Sequence, residues 1–233
     1  KTSKDGVGTE LRLEGGKIAS FSRGDLQEGT IIEVTDLFYN TPVRLKYLRN
    51  LYTELALIVD YVNKMALSYP NIKFVLENND KELLNTSGDG TLLKVIYAVY
   101  GIDVAKKMCE VTIEDDDYFI SGYISYPEVA RSSRNVITTL VNGRIVRNQE
   151  LNRTILEAYN TYIPKEKTPI VILNIDVDPI LVDVNIHPQK MDIKFSKMEE
   201  LKKLVTTSII RKLKELMLIP HADIRDNISV LEA

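Results

Sequence analysis

The residues with the clearest capacity for chemistry are the nine from Val182 to Lys190, VDVNIHPQK. Side chains alternate along a strand, so Val182, Val184 and Ile186 share one face while Asp183, Asn185 and His187 share the other. Pro188 has no amide hydrogen and ends the ladder, which leaves Lys190 on the turn that follows. An ammonium group on a short, proline-stiffened turn beside polar strand residues suits a phosphate. Spacing alone describes an exposed strand edge protected by charge just as well, and that is the commoner arrangement.

A second group is basic. From Arg131 to Gln149 stand Arg131, Arg134, Arg144 and Arg147 with no acidic residue among them, a local charge of +4 in a chain of net charge −3. Guanidinium groups in such a stretch suit phosphate contacts that position a nucleic acid without reading its sequence. A solvated loop and hairpin end accounts for the same charges. The basic positions near the end, Lys202, Lys203, Arg211, Lys212 and Lys214, read as ordinary helix surface. Two glycine clusters are decoys. Gly15-Gly16-Lys17 reads as a hairpin turn, since a phosphate loop needs a longer glycine-rich stretch opening a helix. Asp5-Gly6-Val7-Gly8-Thr9 precedes a strand and reads as a loop.

The elements that must position these residues follow from periodicity. Leu11 and Leu13, the Gly15-Gly16 turn, then Ile18 and Phe21 predict a β-hairpin. A strand is expected over Ile31–Leu37, followed by a helix capped by Asn40 or Thr41 with Pro42 in its first turn. Leu55, Ile58, Val59, Val62, Met65 and Ala66 recur at three- and four-residue spacing and predict an amphipathic helix over Thr53–Ser68. A strand over Ile72–Leu76 and a turn at Glu77-Asn78-Asn79-Asp80 come next. The small and polar run Asn85 to Gly90, NTSGDG, is the expected domain joint. Beyond it a helix (Thr91–Tyr100) precedes strands at Lys107–Ile113, Tyr118–Tyr126 and Val136–Val141, the last ending in the turn pair Asn142-Gly143. Asn148 is placed to cap a helix over Gln149–Tyr159. A strand over Pro169–Val177, the strand Val182–His187 and a helix from about Ser196 to Leu218 complete a βαβ-like order, and the tail after Pro220 reads as the start of a linker.

Composition narrows the class. With 44% hydrophobic and 27% charged residues the sequence is that of a globular protein, long enough for one large domain or two small ones. No stretch approaches the roughly 18 to 20 apolar residues of a membrane span, and the opening residues hold no apolar signal core, so a cytoplasmic protein is expected. The lone Cys109 rules out an internal disulfide and supplies no metal cluster. The net charge of −3 confines any nucleic-acid contact to a local basic patch. Lys1 is not a methionine and Thr9–Leu13 already reads as a strand, so an internal start within a longer protein is expected.

Three blocks carry a resemblance. VDVNIHPQK followed by MDIKF, DLFYNTPVRLKYL (Asp36 to Leu48) and LVNGRIVRN (Leu140 to Asn148) are similar, in order and separation, to signature stretches of the MutL family of DNA mismatch-repair proteins. The similarity runs from Gly8 to about Leu218. It implies an α+β chain: residues 1–88 as the C-terminal portion of a GHKL-type ATPase α/β sandwich, 91–218 as a ribosomal-protein-like βαβ transducer domain, and 219–233 as the start of a linker. Another ATPase of that superfamily, such as a type II topoisomerase subunit, would bring a different lysine motif and no DLFYNTP block.

The family's VNxHPxK lysine reaches the γ-phosphate of ATP from the transducer, and Lys190 matches it; the motif asparagine matches Asn185, in a supporting role. Gly29-Thr30 resembles the Gly-Thr element near the nucleotide pocket. Val43, Gln189 and Lys194 depart from common family residues without altering that charge chemistry. The general-base glutamate, the magnesium-holding asparagine and the DxGxG loop of the family all precede Lys1. ATP and Mg2+ are therefore expected for the intact protein, with neither bound nor ATP hydrolysed by this chain alone, since Lys190 cannot by itself activate water or gather phosphates. The resemblance further implies contact with double- or single-stranded DNA without sequence preference through Arg131, Arg134, Arg144 and Arg147. It also implies coupling to MutS and a downstream repair nuclease, and a homodimer in the intact protein. For this stretch alone, a monomer or weak dimer is expected. A non-catalytic DNA-binding or protein-interaction module is the alternative.

Overall fold

The computed structural model describes residues 7–25, 27–48, 50–133, 135–183, 193–218 and 227–231. The chain divides into two compact units, Lys1–Leu57 and Ile58–Ala233.

In the first unit β1 (Gly8–Glu14) and β2 (Lys17–Gly24) form an antiparallel hairpin with Glu14 opposite Lys17, so Gly15-Gly16 is the turn the glycine pair predicts. Helix α1 is one turn, Pro42–Leu45, with Thr41 at its N-cap and proline in the first turn, although no side chain caps it. Ile31–Leu37 is not a strand. β-propensity alone fixes no strand without a partner for its ladder, and this segment has none among the described residues. The unit leaves apolar side chains in solvent, Leu11, Leu13, Ile18 and Phe21 on the hairpin and Ile31 at 97% exposure.

Helix α2 (Leu51–Ser68) crosses the division between the units, and its last turns bury Ala66 and Leu67. A short hairpin follows, β3 (Val75–Asn78) and β4 (Lys81–Asn85), turning at Asn79-Asp80, where both residues take positive φ. The strand thus begins at Val75 rather than Ile72, and its partner β4 has no clear alternation to announce it. Helices α3 (Leu92–Tyr100) and α4 (Ile102–Ala105) lead to β5 (Met108–Glu114) and β6 (Tyr118–Ser125). After them come β7 (Ile137–Val141), β8 (Arg144–Val146), α5 (Gln149–Ala158), β9 (Val171–Val177), the two-residue strands β10 (Val182–Asp183) and β11 (Lys194–Phe195), and α6 (Met198–Leu218).

The main sheet has the order β5-β6-β9-β7-β8. β7 and β9 are parallel and joined through α5, a βαβ unit; every other neighbouring pair is antiparallel. Alternation along β9 explains how one strand serves two cores. Val171, Leu173, Ile175 and Val177 pack with Leu151 and Ile155 of α5 and Leu201, Val205 and Ile209 of α6. Ile172 and the preceding Ile170 point the other way, into a core with Ala66, Leu67, Leu93 and Ile96. β9 is central because it is apolar on both faces at this end. Gly122 on β6 allows it to lie close: a Cβ there would overlap the Ile172 carbonyl oxygen, and its φ is 144°. Residues 227–231 are helical, and the buried Asn227 amide donates to the carbonyls of Ala105, Lys106 and Met108 at 3.1, 3.3 and 2.6 Å. No helix among the described residues is long and apolar enough to cross a membrane.

Candidate functional site

The site is built around the β7–β8 hairpin. Its turn is Asn142-Gly143, with φ of 49° and 75°, and asparagine and glycine are the residues that tolerate both angles. Asn142 does more than turn. Its backbone N–H donates to the Ile175 carbonyl at 3.0 Å, its side-chain amide donates to the Val177 carbonyl at 2.9 Å, and its Oδ1 accepts from Val177 N–H at 2.9 Å. The side chain thereby prolongs the β7–β9 ladder past the end of β7. Six residues on, Asn148 caps α5 by accepting from Leu151 N–H at 2.9 Å, as the sequence predicts, and its amide donates to the Ile193 carbonyl at 3.0 Å.

Those two partners bracket the VDVNIHPQK stretch. After Val177 the chain makes a 3-10 turn, Pro179–Leu181, capped by Asp178, and enters β10. Val182 pairs with Phe195 and Asp183 with Lys194, antiparallel, so the two ends of the segment 184–193 are held side by side. Ser196 N–H donates to the Leu181 carbonyl at 2.9 Å. Phe195 packs edge-on against Tyr118 with ring centroids 6.4 Å apart, and the Tyr118 hydroxyl donates to the Lys197 carbonyl at 3.1 Å. Burial, then nearby Asp117, Glu200 and Asp115, push that phenol up to about 12. The Lys197 ammonium binds Asp117 at 2.6 Å, and this hydrogen bond raises its pKa.

Lys190 and Asn185 lie outside the described residues, as does Arg134. Gly29 takes a φ of 127°, with no atom within 4 Å of where a Cβ would stand, and Thr30 beside it is exposed. Among the described residues no group of three or more His, Cys, Asp or Glu side chains stands where it could hold a metal ion. Of the arginines, Arg131 forms an isolated bridge with Thr168 ahead of β7, whereas Arg144 faces Val141 at the far end of that strand. Arg147 follows β8, and all three are exposed. The structure therefore sets Arg144 at the far end of β7 from Arg131, while Arg147, past the Thr139–Val146 pair, lies back towards the start of β7. Sequence reasoning assigned Asn142 to a turn and Asn148 to a cap. The further signal was available: each amide keeps a donor that a turn or cap alone does not use.

The family described as DNA mismatch repair protein, C-terminal domain, matches residues 96–214, the stretch that holds this hairpin and the VDVNIHPQK block. A crystal structure of the N-terminal domain of a DNA repair protein shares the fold with a TM-score of 0.79 at 23% identity, over 94% of this chain and 71% of that one. The Aquifex aeolicus MutL ATPase domain complexed with ADP shares it with a TM-score of 0.62 at 20% identity, over 87% and 68%. The class so defined is a DNA mismatch repair protein, α+β as expected, with the fold of MutL ATPase domains. MutL of Geobacillus sp. (strain WCH70) is 49% identical over 226 residues, 97% of this chain. The chain belongs to the MutL family, and it spans 36% of the length of the curated relatives it matches.

Proposed function

We propose that this chain is the part of an ATP-switched mismatch repair protein that senses the γ-phosphate and passes the change to DNA and to repair partners. One observation carries the reading. The VDVNIHPQK stretch begins on paired strands, with Val182 opposite Phe195 and Asp183 opposite Lys194, and this anchored start supports a positioned role for the lysine that ends it. Lys190 is the phosphate-sensing residue and Asn185 supports it; Gly29 and Thr30 offer backbone to the nucleotide. The ADP held by the Aquifex aeolicus relative supports a nucleotide ligand for the intact protein, and Mg2+ accompanies that nucleotide in the intact protein.

Within this reading residues 1–88 are the last portion of the ATPase domain, 91–218 the transducer and 219–233 the start of the linker, of which the helical residues 227–231 dock back through Asn227 on the carbonyls of Ala105, Lys106 and Met108. The exposed apolar residues of the first unit then face the rest of that domain, as large exposed apolar patches generally mark a contact. Arg131, Arg134, Arg144 and Arg147 hold DNA backbone without reading bases; MutS, a repair nuclease and a second copy of the protein are its partners in the cytoplasm. The test is Lys190→Ala in the full-length protein. Loss of a charge aimed at the developing phosphate charge lowers ATP turnover by ~10²-fold while leaving DNA affinity unchanged. Unchanged turnover at saturating ATP refutes it.

A further inference from the structure

We infer that residues 227–231 are the chain's own cover over the free edge of the main sheet, and that the edge beneath fits an extended partner segment with basic residues at alternate positions. None of these residues takes part in the nucleotide or DNA reading above.

Among the described residues β5 ends the sheet, with β6 on one side and no strand on the other. Tyr126 N–H donates to the Lys107 carbonyl and Asp115 N–H to the Tyr118 carbonyl, both at 2.9 Å, so 107 and 115 are hydrogen-bonded positions of the β5–β6 ladder. Alternation then turns the backbone N–H and C=O of Met108, Glu110, Thr112 and Glu114 outward, to the open edge. The helical residues 227–231 lie there. Buried Asn227 donates to the Met108 carbonyl, first of the outward acceptors, at 2.6 Å. It shares its amide hydrogens with the carbonyls of Ala105 and Lys106, which the end of α4 leaves without helical partners. Leu231 packs against the core that holds Leu93 and Met108. Between this helical turn and the edge runs a cleft of about 360 Å³ lined by Met108, Glu110, Thr112, Lys212, Asn227 and Val230. Covering an edge with a helix keeps a sheet from pairing with other chains. A helix of five residues is not stable by itself, and Val230 is 37% exposed beside the cleft, so the cover opens at small cost.

Charge selects the partner. From Met108 to Ala130 stand Glu110, Glu114, Asp115, Asp116, Asp117 and Glu128 and no basic residue. Lys197 pairs with Asp117 and Lys107 with Glu128, while Glu110, Thr112 and Glu114 share one exposed face of the edge strand. Two copies paired antiparallel about Thr112 would set Glu110 of one against Glu114 of the other, a like-charge pair across strands, which disfavours a second copy as the occupant. A strand with Lys or Arg at every second position meets the same glutamates with opposite charge.

The experiment uses the full-length protein, a short fluorescent peptide of alternating lysine and valine, and its counterpart of alternating glutamate and valine. Asn227→Ala and Leu231→Ser each loosen the cover without changing charge, and Leu231→Ser leaves the Asn227 contacts in place should Asn227→Ala disturb α4. Thr112→Pro removes an outward N–H, so it blocks an added strand at the cost of no β5–β6 hydrogen bond and no charge. The expected result is amide exchange over 227–231 faster by roughly tenfold in both cover variants, with Tyr123 in the β6–β9 ladder unchanged. The lysine peptide then binds both variants roughly tenfold more tightly than it binds the wild type, and adding Thr112→Pro abolishes the gain. Exchange at the wild-type rate in both variants overturns the cover. Quickened exchange with no tighter binding overturns the edge as a docking site. A gain that survives Thr112→Pro overturns strand addition, and equal binding of the glutamate peptide overturns the basic partner.

Discussion

Gly122→Ala tests the architecture on which the site depends. Gly122 lies in β6 opposite Leu173 of β9, and an added methyl would overlap the Ile172 carbonyl oxygen while standing 3.0 Å from Leu173 Cα. Relieving that overlap moves two central strands apart by about 1 Å, enough to weaken the two nearest ladder hydrogen bonds at ~1 kcal/mol each. The φ of 144° adds backbone strain of ~1–3 kcal/mol for any residue with a Cβ. The sum, ~4 kcal/mol, is a large share of the roughly 5–15 kcal/mol that holds a typical domain together. Gly143→Ala is the control. Its φ is also positive, at 75°, but nothing stands within 4 Å of a Cβ there, so only the strain of ~1–2 kcal/mol applies. Urea unfolding followed by circular dichroism should show Gly122→Ala less stable than Gly143→Ala by ~2–3 kcal/mol, as a lower midpoint at unchanged slope. Equal midpoints would refute the reasoning, because they would mean that the β6–β9 approach tolerates a methyl.

Two further outcomes follow from the charges. Removing Arg144 and Arg147 together should make DNA binding by the full-length protein less dependent on salt, reducing the log–log slope by ~0.9 for each duplex phosphate no longer neutralised; an unchanged slope removes both from the interface. Burial first, with nearby carboxylates adding to it in each case and Arg131 opposing at Tyr100, raises Tyr100, Tyr118 and Tyr123 from 10 to about 12 in the folded chain. The unfolded chain therefore releases these protons first. Their contribution is fully present below pH 10 and is lost as pH rises towards 12, so the melting temperature should fall across that window, and Tyr123→Phe should flatten the fall.

Much of this was legible in the sequence because the signals were local. Periodicity placed α2, α3, α5 and α6 within a few residues, and the side-chain cap of α5 by Asn148 follows from residue type alone. The alternation of β9 placed one of its two cores; the second core, reached through Ile170 and Ile172, depends on what packs above the sheet. Ile31–Leu37 has strand composition but no ladder partner among the described residues, and partner strands are a tertiary fact. The arginines looked contiguous because they are close in sequence. The structure separates Arg131 from Arg144 by the length of β7, since a strand converts adjacency in the chain into distance. Residue type shows that Asn142 and Asn148 each keep a spare donor, but not where it goes, because the acceptors lie 35 and 45 residues away.

The strand order has a consequence for how the protein is made. β6 and β7 are synthesised well before β9, yet in the finished sheet neither touches the other, and each is completed only by the strand between them. During translation both present an open apolar edge until Val171–Val177 has left the ribosome, an interval on the order of seconds at ordinary synthesis rates. Slow codons or truncation between Asn142 and Val177 would thus leave two unpaired edges suited to joining other chains, so the aggregation risk of a nascent polypeptide is concentrated in that one interval of its synthesis.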